Sequence, residues 1–185
     1  MDEAAYWFTF ADYVLMATLF QVGCRINEAF ALSWQDLELQ ADPPTISIRH
    51  SVVSRGVSPY LGPTKNGKAR ENIEISQDLA DLLLELQTLQ RTERITPYVF
   101  PNAEGKLRDD SGFRHRDWLP LMKACGLPSG KANGGFTPHS TRHTHITLSL
   151  KRGEKVEVVA ERVGHLDIAL TLNIYRQIQE GEQHT

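Results

Sequence analysis

From Thr137 to Arg176 the chain reads TPHSTRHTHITLSLKRGEKVEVVAERVGHLDIALTLNIYR. Four side chains in this stretch are of types that bind, protonate and attack a phosphate: His139, Arg142, His165 and Tyr175. Thr137 is a suitable N-cap and Pro138 fits the first helical position, so we predict a helix that begins there. His139 and Arg142 then share one face near its start, where a helix N-terminus attracts anions.

Downstream of this helix a stripe of valines predicts a second one: Val156, Val159 and Val163. Gly164 is a typical residue for ending that helix, which places His165 at the helix exit. Asp167 can cap a last helix that carries Tyr175. The pattern therefore predicts three helices that present a histidine–arginine pair, a second histidine and a tyrosine.

A second segment, GCRINEAFALSWQDLE at residues 23–38, places Arg25, Glu28 and Leu32 at helical spacing. It follows residues 3–21, which we predict to be an apolar helix with a turn after it. Taken alone, Arg25 and Glu28 are more often a surface ion pair worth about a few tenths of a kcal/mol. Beside the C-terminal stretch, the surface ion pair is no longer the favoured interpretation.

Between Thr45 and Ile75 the pattern changes to the alternation of β-strands. Glycines, prolines and the turn signal Asn66-Gly67 predict three short antiparallel strands. Lys65 stands immediately before that turn, in PTKNGKAR. A solvated turn lysine is the simplest interpretation of Lys65, and Lys68 is a rival candidate for a functional lysine.

These segments together resemble the tyrosine recombinases, the phage-integrase family. The C-terminal signature of that family, H-x-x-R-H, then G-H, then a tyrosine about ten residues later, stands here as HSTRH, VGH and NIY. Its first-arginine box stands here as GCRINEAFALSW, and its hairpin lysine in TKNGKAR. The resemblance implies an α+β fold, mostly helical with a small three-stranded antiparallel sheet, in which residues 1–185 form a single catalytic domain.

Two departures from the family pattern concern packing and one concerns domain content. Thr141 stands where leucine is usual, and His145 where an aromatic residue is common. The family carries an N-terminal core-binding domain ahead of the first-arginine box, but only 24 residues precede Arg25. We therefore expect that domain to be absent from this chain.

The resemblance assigns most of the chemistry of a phosphodiester exchange to named residues. Arg25 and Arg142 would clamp the nonbridging oxygens, with Glu28 orienting Arg25, because a guanidinium fork matches two oxygens at once. Tyr175 would attack phosphorus to give a 3′-phosphotyrosyl link. Lys65 would donate the proton to the departing 5′-oxygen.

The remaining roles are supporting ones. His139 would assist proton movement or hold the phosphate, and His165 would hydrogen-bond the phosphate from the opposite side. Lys68 and Arg70 are expected to contact DNA. The resemblance implies double-stranded DNA as the partner, no metal or other cofactor, a homotetramer on DNA and a monomer when free.

The net charge of −3 at pH 7 argues mildly against nucleic-acid binding. Its distribution matters more, because five Lys or Arg face a single Glu between residues 49 and 72, a local balance of +4. A basic hairpin on an otherwise acidic body could lie along a duplex.

Composition also favours an intracellular protein. Cys24 and Cys125 lack metal-ligand spacing and predict a reducing, intracellular compartment. The resemblance implies a cytoplasmic protein that is associated with the nucleoid when it acts on DNA. No secretory signal follows Met1. The apolar run 6–23 contains Asp12, which favours a core helix over a membrane span.

Three alternatives belong to other classes. His139, His143 and His145 lie within seven residues and could suggest zinc, but Ser140 occupies the general-base position of the HExxH pattern, so we expect no metal. A type IB topoisomerase would use the same kinds of residue to relax DNA. A DNA-binding module that has lost catalysis would not need all six catalytic side chains.

Overall fold

The computed structural model describes residues 9–54, 58–93, 95–130 and 134–182. Within these ranges the α-helices are, in chain order, α1 (Phe10–Val22), α2 (Ile26–Ala29), α3 (Gln77–Glu93), α4 (Asp110–Phe113), α5 (Leu119–Ala124), α6 (Pro138–Lys151), α7 (Val156–Val163) and α8 (Ala169–Glu182). The strands are β1 (Leu37–Glu38), β2 (Thr45–Ile48), β3 (His50–Val53), β4 (Tyr60–Pro63) and β5 (Arg70–Glu74). A 3₁₀ turn at Trp34–Asp36 precedes β1, and a π-helical turn at Arg114–Trp118 joins α4 to α5.

The strands form two small antiparallel sheets. One has the order β1-β2-β5, and the other is the hairpin β3-β4. The prediction of a mostly helical fold with a small antiparallel sheet is confirmed, but the count of three strands between residues 45 and 75 is wrong. The pairing of β2 with β5 is irregular between Ile46 and Ile48, and β3 begins two residues after β2 ends. Strands β2 and β3 therefore belong to different sheets.

Helix α1 begins and ends at local signals. The Asp12 N–H donates to Thr9 Oγ1 (3.1 Å), and the Thr9 N–H donates to Asp12 Oδ2 (3.3 Å). Gly23 ends the helix with a φ of 64°. The helix predicted over residues 3–21 is thus present from Phe10, and residues 1–8 lie outside the described part. Across the described ranges, no helix is long and apolar enough to cross a membrane.

Two cores hold the described residues together. The larger one is formed by α1, α2, the three-stranded sheet, α3 and the α4–α5 segment. The smaller one lies among α6, α7 and α8 and is built on Ile146, Leu150, Val159 and Val163. The two meet where α1 packs against α6, and there Gly23 must be glycine, because a Cβ would lie 2.4 Å from Cδ2 of His145. This junction lies beside the segment that carries Arg25.

The ends of the C-terminal helices follow the sequence signals. Helix α6 begins at Pro138, and the Thr137 N–H donates to Ser140 Oγ (3.0 Å). Helix α7 ends at Gly164, which has a φ of 69°. Asp167 Oδ1 accepts from the Ala169 N–H at the start of α8 (2.8 Å). These predictions are confirmed.

Candidate active site

Arg25 is held at the start of α2 by a single carboxylate. Glu28 Oε2 accepts from the Arg25 backbone N–H (2.8 Å), and Glu28 Oε1 accepts from Arg25 Nη1 (2.9 Å). Glu28 is only 1% exposed. Burial by itself would raise the pKa of Glu28, but Arg70, the backbone N–H and Arg25 lower that pKa overall. The carboxylate is therefore ionised and fixes the direction of the Arg25 guanidinium.

Arg70 shares the same carboxylate from the other side. Its Nη2 lies 2.6 Å from Glu28 Oε2, and its Nη1 donates to the carbonyl oxygen of Val163 at the end of α7. The Arg70 side chain is 8% exposed. This placement does not favour the predicted contact of Arg70 with DNA. A guanidinium enclosed between a carboxylate and a carbonyl has little surface left for a phosphate.

Arg142, on the first turns of α6, is buried under the same region. Its Nη1 donates to the carbonyl oxygen of Gly23 (2.9 Å), while its Nη2 is buried without a hydrogen-bond partner among the described residues. Burial, followed by repulsion from Arg25, lowers the pKa of Arg142 to about 10. A desolvated cation with an unsatisfied donor is a strong binder of an incoming anion.

His165 directly follows the glycine that ends α7. Its backbone N–H donates to the carbonyl oxygen of Ala160 (2.9 Å), and its Nδ1 lies 2.8 Å from the buried hydroxyl oxygen of Thr171. Burial, followed by the charges of Arg142 and Arg25, lowers the pKa of His165 to about 4. His165 is therefore neutral at pH 7, and its Nδ1 is held by the Thr171 hydroxyl.

Lys65 lies on the turn between β4 and β5, and its side chain is exposed. The turn is closed by the Gly67 N–H, which donates to the carbonyl oxygen of Thr64 (2.8 Å), so the predicted Asn-Gly turn is confirmed. Asn66 Nδ2 also donates to the carbonyl oxygen of Gly164 (2.6 Å). The lysine is thus free to reach outward, while the turn that carries it is attached to the end of α7.

Two cavities meet at Arg25. The larger, of about 740 Å³, is lined by Arg25, Lys65 and His139, together with Asp110 and Arg114 of the α4–α5 segment. The smaller, of about 330 Å³, is lined by residues of α2, the β4–β5 turn and α7, among them Arg25, Glu28, Asn66, Lys68, Arg70 and His165. The structure therefore brings seven of the predicted residues into one region, with Arg142 beneath it.

Tyr175 is placed differently. Helix α8 packs Ile174, Tyr175 and Ile178 against the smaller core. The Tyr175 hydroxyl oxygen accepts from Nε2 of Gln179 one turn along the same helix (2.7 Å). Among the residues that the structure describes, Tyr175 lines neither of the two cavities. The predicted nucleophile is thus close in sequence to the site but is not directed into it.

The three histidines of α6 make different contacts. The rings of His139 and His143 are 5.0 Å apart in an edge-to-face arrangement, and Nδ1 of His145 lies 3.0 Å from the carbonyl oxygen of Phe20. Within the described ranges, no group of three or more His, Cys, Asp or Glu side chains is placed to hold a metal ion.

Sequence reasoning missed two contacts that shape the site. The sequence indicates only a turn residue at Asn66, although its amide contacts the end of α7. Thr171 carried no signal, because a threonine in a helix is unremarkable until its hydroxyl meets His165. Arg70 was recognised, but its local sequence gave no indication of its burial.

The chain matches the model of the phage integrase family over residues 1–182. It belongs to that family. An integrase of Streptomyces ambofaciens is 28% identical over 180 residues, which are 89% of this chain and 43% of the relative. A XerC-like tyrosine recombinase of Caldanaerobacter subterraneus is 25% identical over 182 residues, 89% of this chain and 45% of the relative. The chain therefore spans less than half the length of these family members.

Two solved structures have the same fold. The Tn1549 transposon integrase, in complex with a circular intermediate DNA, superposes with a TM-score of 0.73 at 20% identity, covering 88% of this chain and 53% of that chain. The XerH site-specific recombinase bound to difH substrate gives a TM-score of 0.70 at 20% identity, covering 100% and 47%. The family resemblance and the fold class predicted from the sequence are both confirmed.

Proposed function

We propose that residues 1–185 form the catalytic domain of a site-specific DNA recombinase that cleaves and rejoins strands through a 3′-phosphotyrosine. One observation carries this proposal: Arg142 keeps a buried, unsatisfied Nη2 beneath the point where two cavities meet at Arg25. Cations preorganised in a water-poor site stabilise the charge that develops at a phosphate in its transition state. Membership of the phage integrase family supports the same conclusion.

Two arginines would hold the phosphate, and different protein groups keep each of them in place. Arg25, fixed by Glu28, binds one nonbridging oxygen from the cavity wall, and Arg142 binds the other through its unsatisfied Nη2. Binding then costs little rearrangement, because Arg25 is already oriented before the ligand arrives. An occupied site would also satisfy Nη2 of Arg142, which has no hydrogen-bond partner within the described ranges.

His165 would donate a hydrogen bond to the phosphate. Since its low pKa leaves the ring neutral at pH 7, a donor at Nε2 requires that Nδ1 accepts from the Thr171 hydroxyl. Thr171 then selects the tautomer as well as the ring orientation. His139 lines the larger cavity, where it is placed to hold the phosphate or to relay a proton.

The covalent step is a displacement at phosphorus. The Tyr175 oxygen forms a bond to phosphorus, the bond to the 5′-oxygen breaks, and Lys65 gives its proton to that leaving oxygen. The tyrosine proton passes to a base or water at the site. Because the Tyr175 hydroxyl is held by Gln179 outside both cavities, α8 must shift or turn this side chain toward Arg25 before the attack.

Double-stranded DNA is the partner that this chemistry requires, and two relatives of known fold were solved on DNA. Exposed Lys65 and Lys68 supply cations on the β4–β5 turn. We expect a homotetramer on DNA, a monomer when free, and a cytoplasmic, nucleoid-associated location. Integration or excision of a mobile element fits relatives described as integrases and as a transposase of transposon Tn554.

Covalent trapping tests the proposal. The chain and its Tyr175→Phe variant are incubated with a nicked suicide duplex from the ends of its own element, in EDTA, and protein–DNA adducts are counted after denaturation. We expect an adduct with the wild type and none with the variant. An adduct that persists in Tyr175→Phe would remove the phosphotyrosine. Absence of any adduct would leave a regulatory DNA-binding module as the function.

A further inference from the structure

Arg70 joins three elements that are far apart in the chain. It lies at the start of β5, yet its guanidinium contacts Glu28 of α2, 42 residues away, and the carbonyl oxygen of Val163 at the end of α7, 93 residues away. Glu28 in turn holds Arg25. One buried side chain therefore connects the arginine of the first box to the helix end that precedes His165.

A second hydrogen bond joins the β4–β5 turn to the end of α7. Asn66, next to Lys65 on the β4–β5 turn, donates to the carbonyl oxygen of Gly164 (2.6 Å). The last two carbonyl oxygens before His165 thus accept hydrogen bonds from these elements, that of Val163 from Arg70 of β5 and that of Gly164 from the turn. The approach is so close that a Cβ at Gly164 would lie 2.8 Å from Nη1 of Arg70. Arg25, the Lys65 turn and His165 are consequently fixed to one another through this contact.

We propose that Arg70 is a positioning residue, which sets the relative placement of Arg25, the Lys65 turn and His165 and does not bind DNA itself. The proposal rests on the recombinase function proposed above. Arg70 acts through its two partners, Glu28 and the Val163 carbonyl, on opposite branches of its guanidinium. A lysine carries the same charge on one nitrogen and cannot hold both partners in this geometry.

The substitution Arg70→Lys separates positioning from DNA binding. In single-turnover cleavage of the suicide duplex at saturating DNA, we expect the rate to fall by about 10- to 100-fold, because small misplacements of reacting groups are costly. The DNA dissociation constant and its dependence on salt should stay at wild-type values. A phosphate contact would instead lower the salt slope by about 1, as we expect for Lys68→Gln.

The matched control is Arg49→Lys. Arg49 also pairs with two carboxylates through its guanidinium, Asp36 at 2.8 Å and Glu71 at 2.7 Å, but these partners lie outside α2 and α7. The same substitution there should leave the cleavage rate at saturating DNA unchanged. A salt slope that falls in Arg70→Lys, or a cleavage rate equal to that of the control, would overturn the proposal.

A second variant and a second readout keep the test independent of cleavage and of folding. Asn66→Ala removes the bond to Gly164 from a surface turn, which should leave the fold intact. Nuclear magnetic resonance then follows the titration of the His165 imidazole, whose midpoint should move up from about 4 toward the ordinary value in both Asn66→Ala and Arg70→Lys. Midpoints unchanged in both variants would refute the proposal. If the wild type does not cleave DNA, the recombinase function fails while this titration still tests the placement of His165.

Discussion

Arg142 and Glu28 are each 1% exposed, whereas Lys65 is exposed on a turn and Tyr175 is half-buried on α8. The first pair is fixed by hydrogen bonds to groups far away in sequence, such as Gly23 and Arg70. The hydroxyl of Tyr175 has its bond within its own helix. The difference indicates that the proposed phosphate-binding pair is fixed by the tertiary fold, whereas the two groups proposed to make and break bonds lie on a turn and on α8, in less buried surroundings.

The most severe test of this contrast is Arg142→Met. We expect the cleavage rate to fall by about 10²- to 10³-fold, the usual effect of losing one stabilising donor at a reacting oxygen. The free energy of unfolding should nevertheless rise by about 1 kcal/mol, because a buried, partly unpaired charge is replaced by an apolar side chain. Suicide-duplex kinetics and urea unfolding measure the two effects.

Arg152→Met at the exposed end of the same helix is the control for both measurements. It should change neither cleavage nor stability appreciably. A several-kcal/mol loss of stability in Arg142→Met would instead make Arg142 a structural residue and would remove this contrast.

Two glycines sharpen the contrast at the level of stability. Gly164 and Gly153 both have positive φ, 69° and 83°, but a Cβ at Gly164 meets Arg70 while one at Gly153 meets nothing within 4 Å. Gly153→Ala should therefore cost about 1 kcal/mol from backbone strain alone. Gly164→Ala should cost about 1 to 3 kcal/mol more from overpacking. Urea unfolding compares the variants, and equal costs would show that Arg70 yields freely.

The pH dependence of the free energy of unfolding tests the contribution of His165, for which we expect a smaller effect. Because the pKa of His165 is about 4 in the folded chain and about 6.5 when unfolded, the unfolded chain binds more protons between these values. The stabilisation from neutral His165 is complete above pH 6.5 and is lost as the pH falls toward 4. At pH 5 only about a tenth of the folded molecules should carry the proton.

The readout is the imidazole titration together with thermal unfolding at pH 7 and pH 4.5. His165→Asn should lose less stability than the wild type over this interval. If both chains lose the same amount, His165 is not the group responsible.

The smallest effect is expected at the surface. Gln179→Ala frees the Tyr175 hydroxyl from its exposed partner, which is worth on the order of 0.5 kcal/mol, so the cleavage rate should change by about twofold. Single-turnover kinetics measure the cleavage rate, and Tyr175→Phe gives the background rate. A tenfold or larger decrease would mean that Gln179 takes part in directing the tyrosine.

Sequence reasoning succeeded where the cause is local. Thr137, Pro138 and Gly164 start and end helices through contacts within a few residues, so their patterns were sufficient. The family motif then identified the cations and the tyrosine, whose types and spacing are tied to the chemistry.

The burial of Arg70 could not be predicted in the same way. It depends on β5 meeting α7 across 93 residues of chain, and nothing in KAREN distinguishes it from a solvated arginine. The basic hairpin is weaker than its sequence suggested for the same reason, because Arg49 and Arg70 are already paired with carboxylates. Of the five cations counted there, Arg55 lies outside the described residues.

Arg25 and Thr64 line both cavities, and this shared wall has a consequence for reversibility. A displacement at phosphorus needs the entering and departing oxygens on opposite sides, roughly in line. A phosphate on Arg25 would face Lys65 in one cavity and His165 in the other. For the proposed cleavage, microscopic reversibility would let a new 5′-hydroxyl enter along the path by which the old one left, while the phosphate stays in place. Strand cleavage and strand joining would then follow the same reaction path in opposite directions.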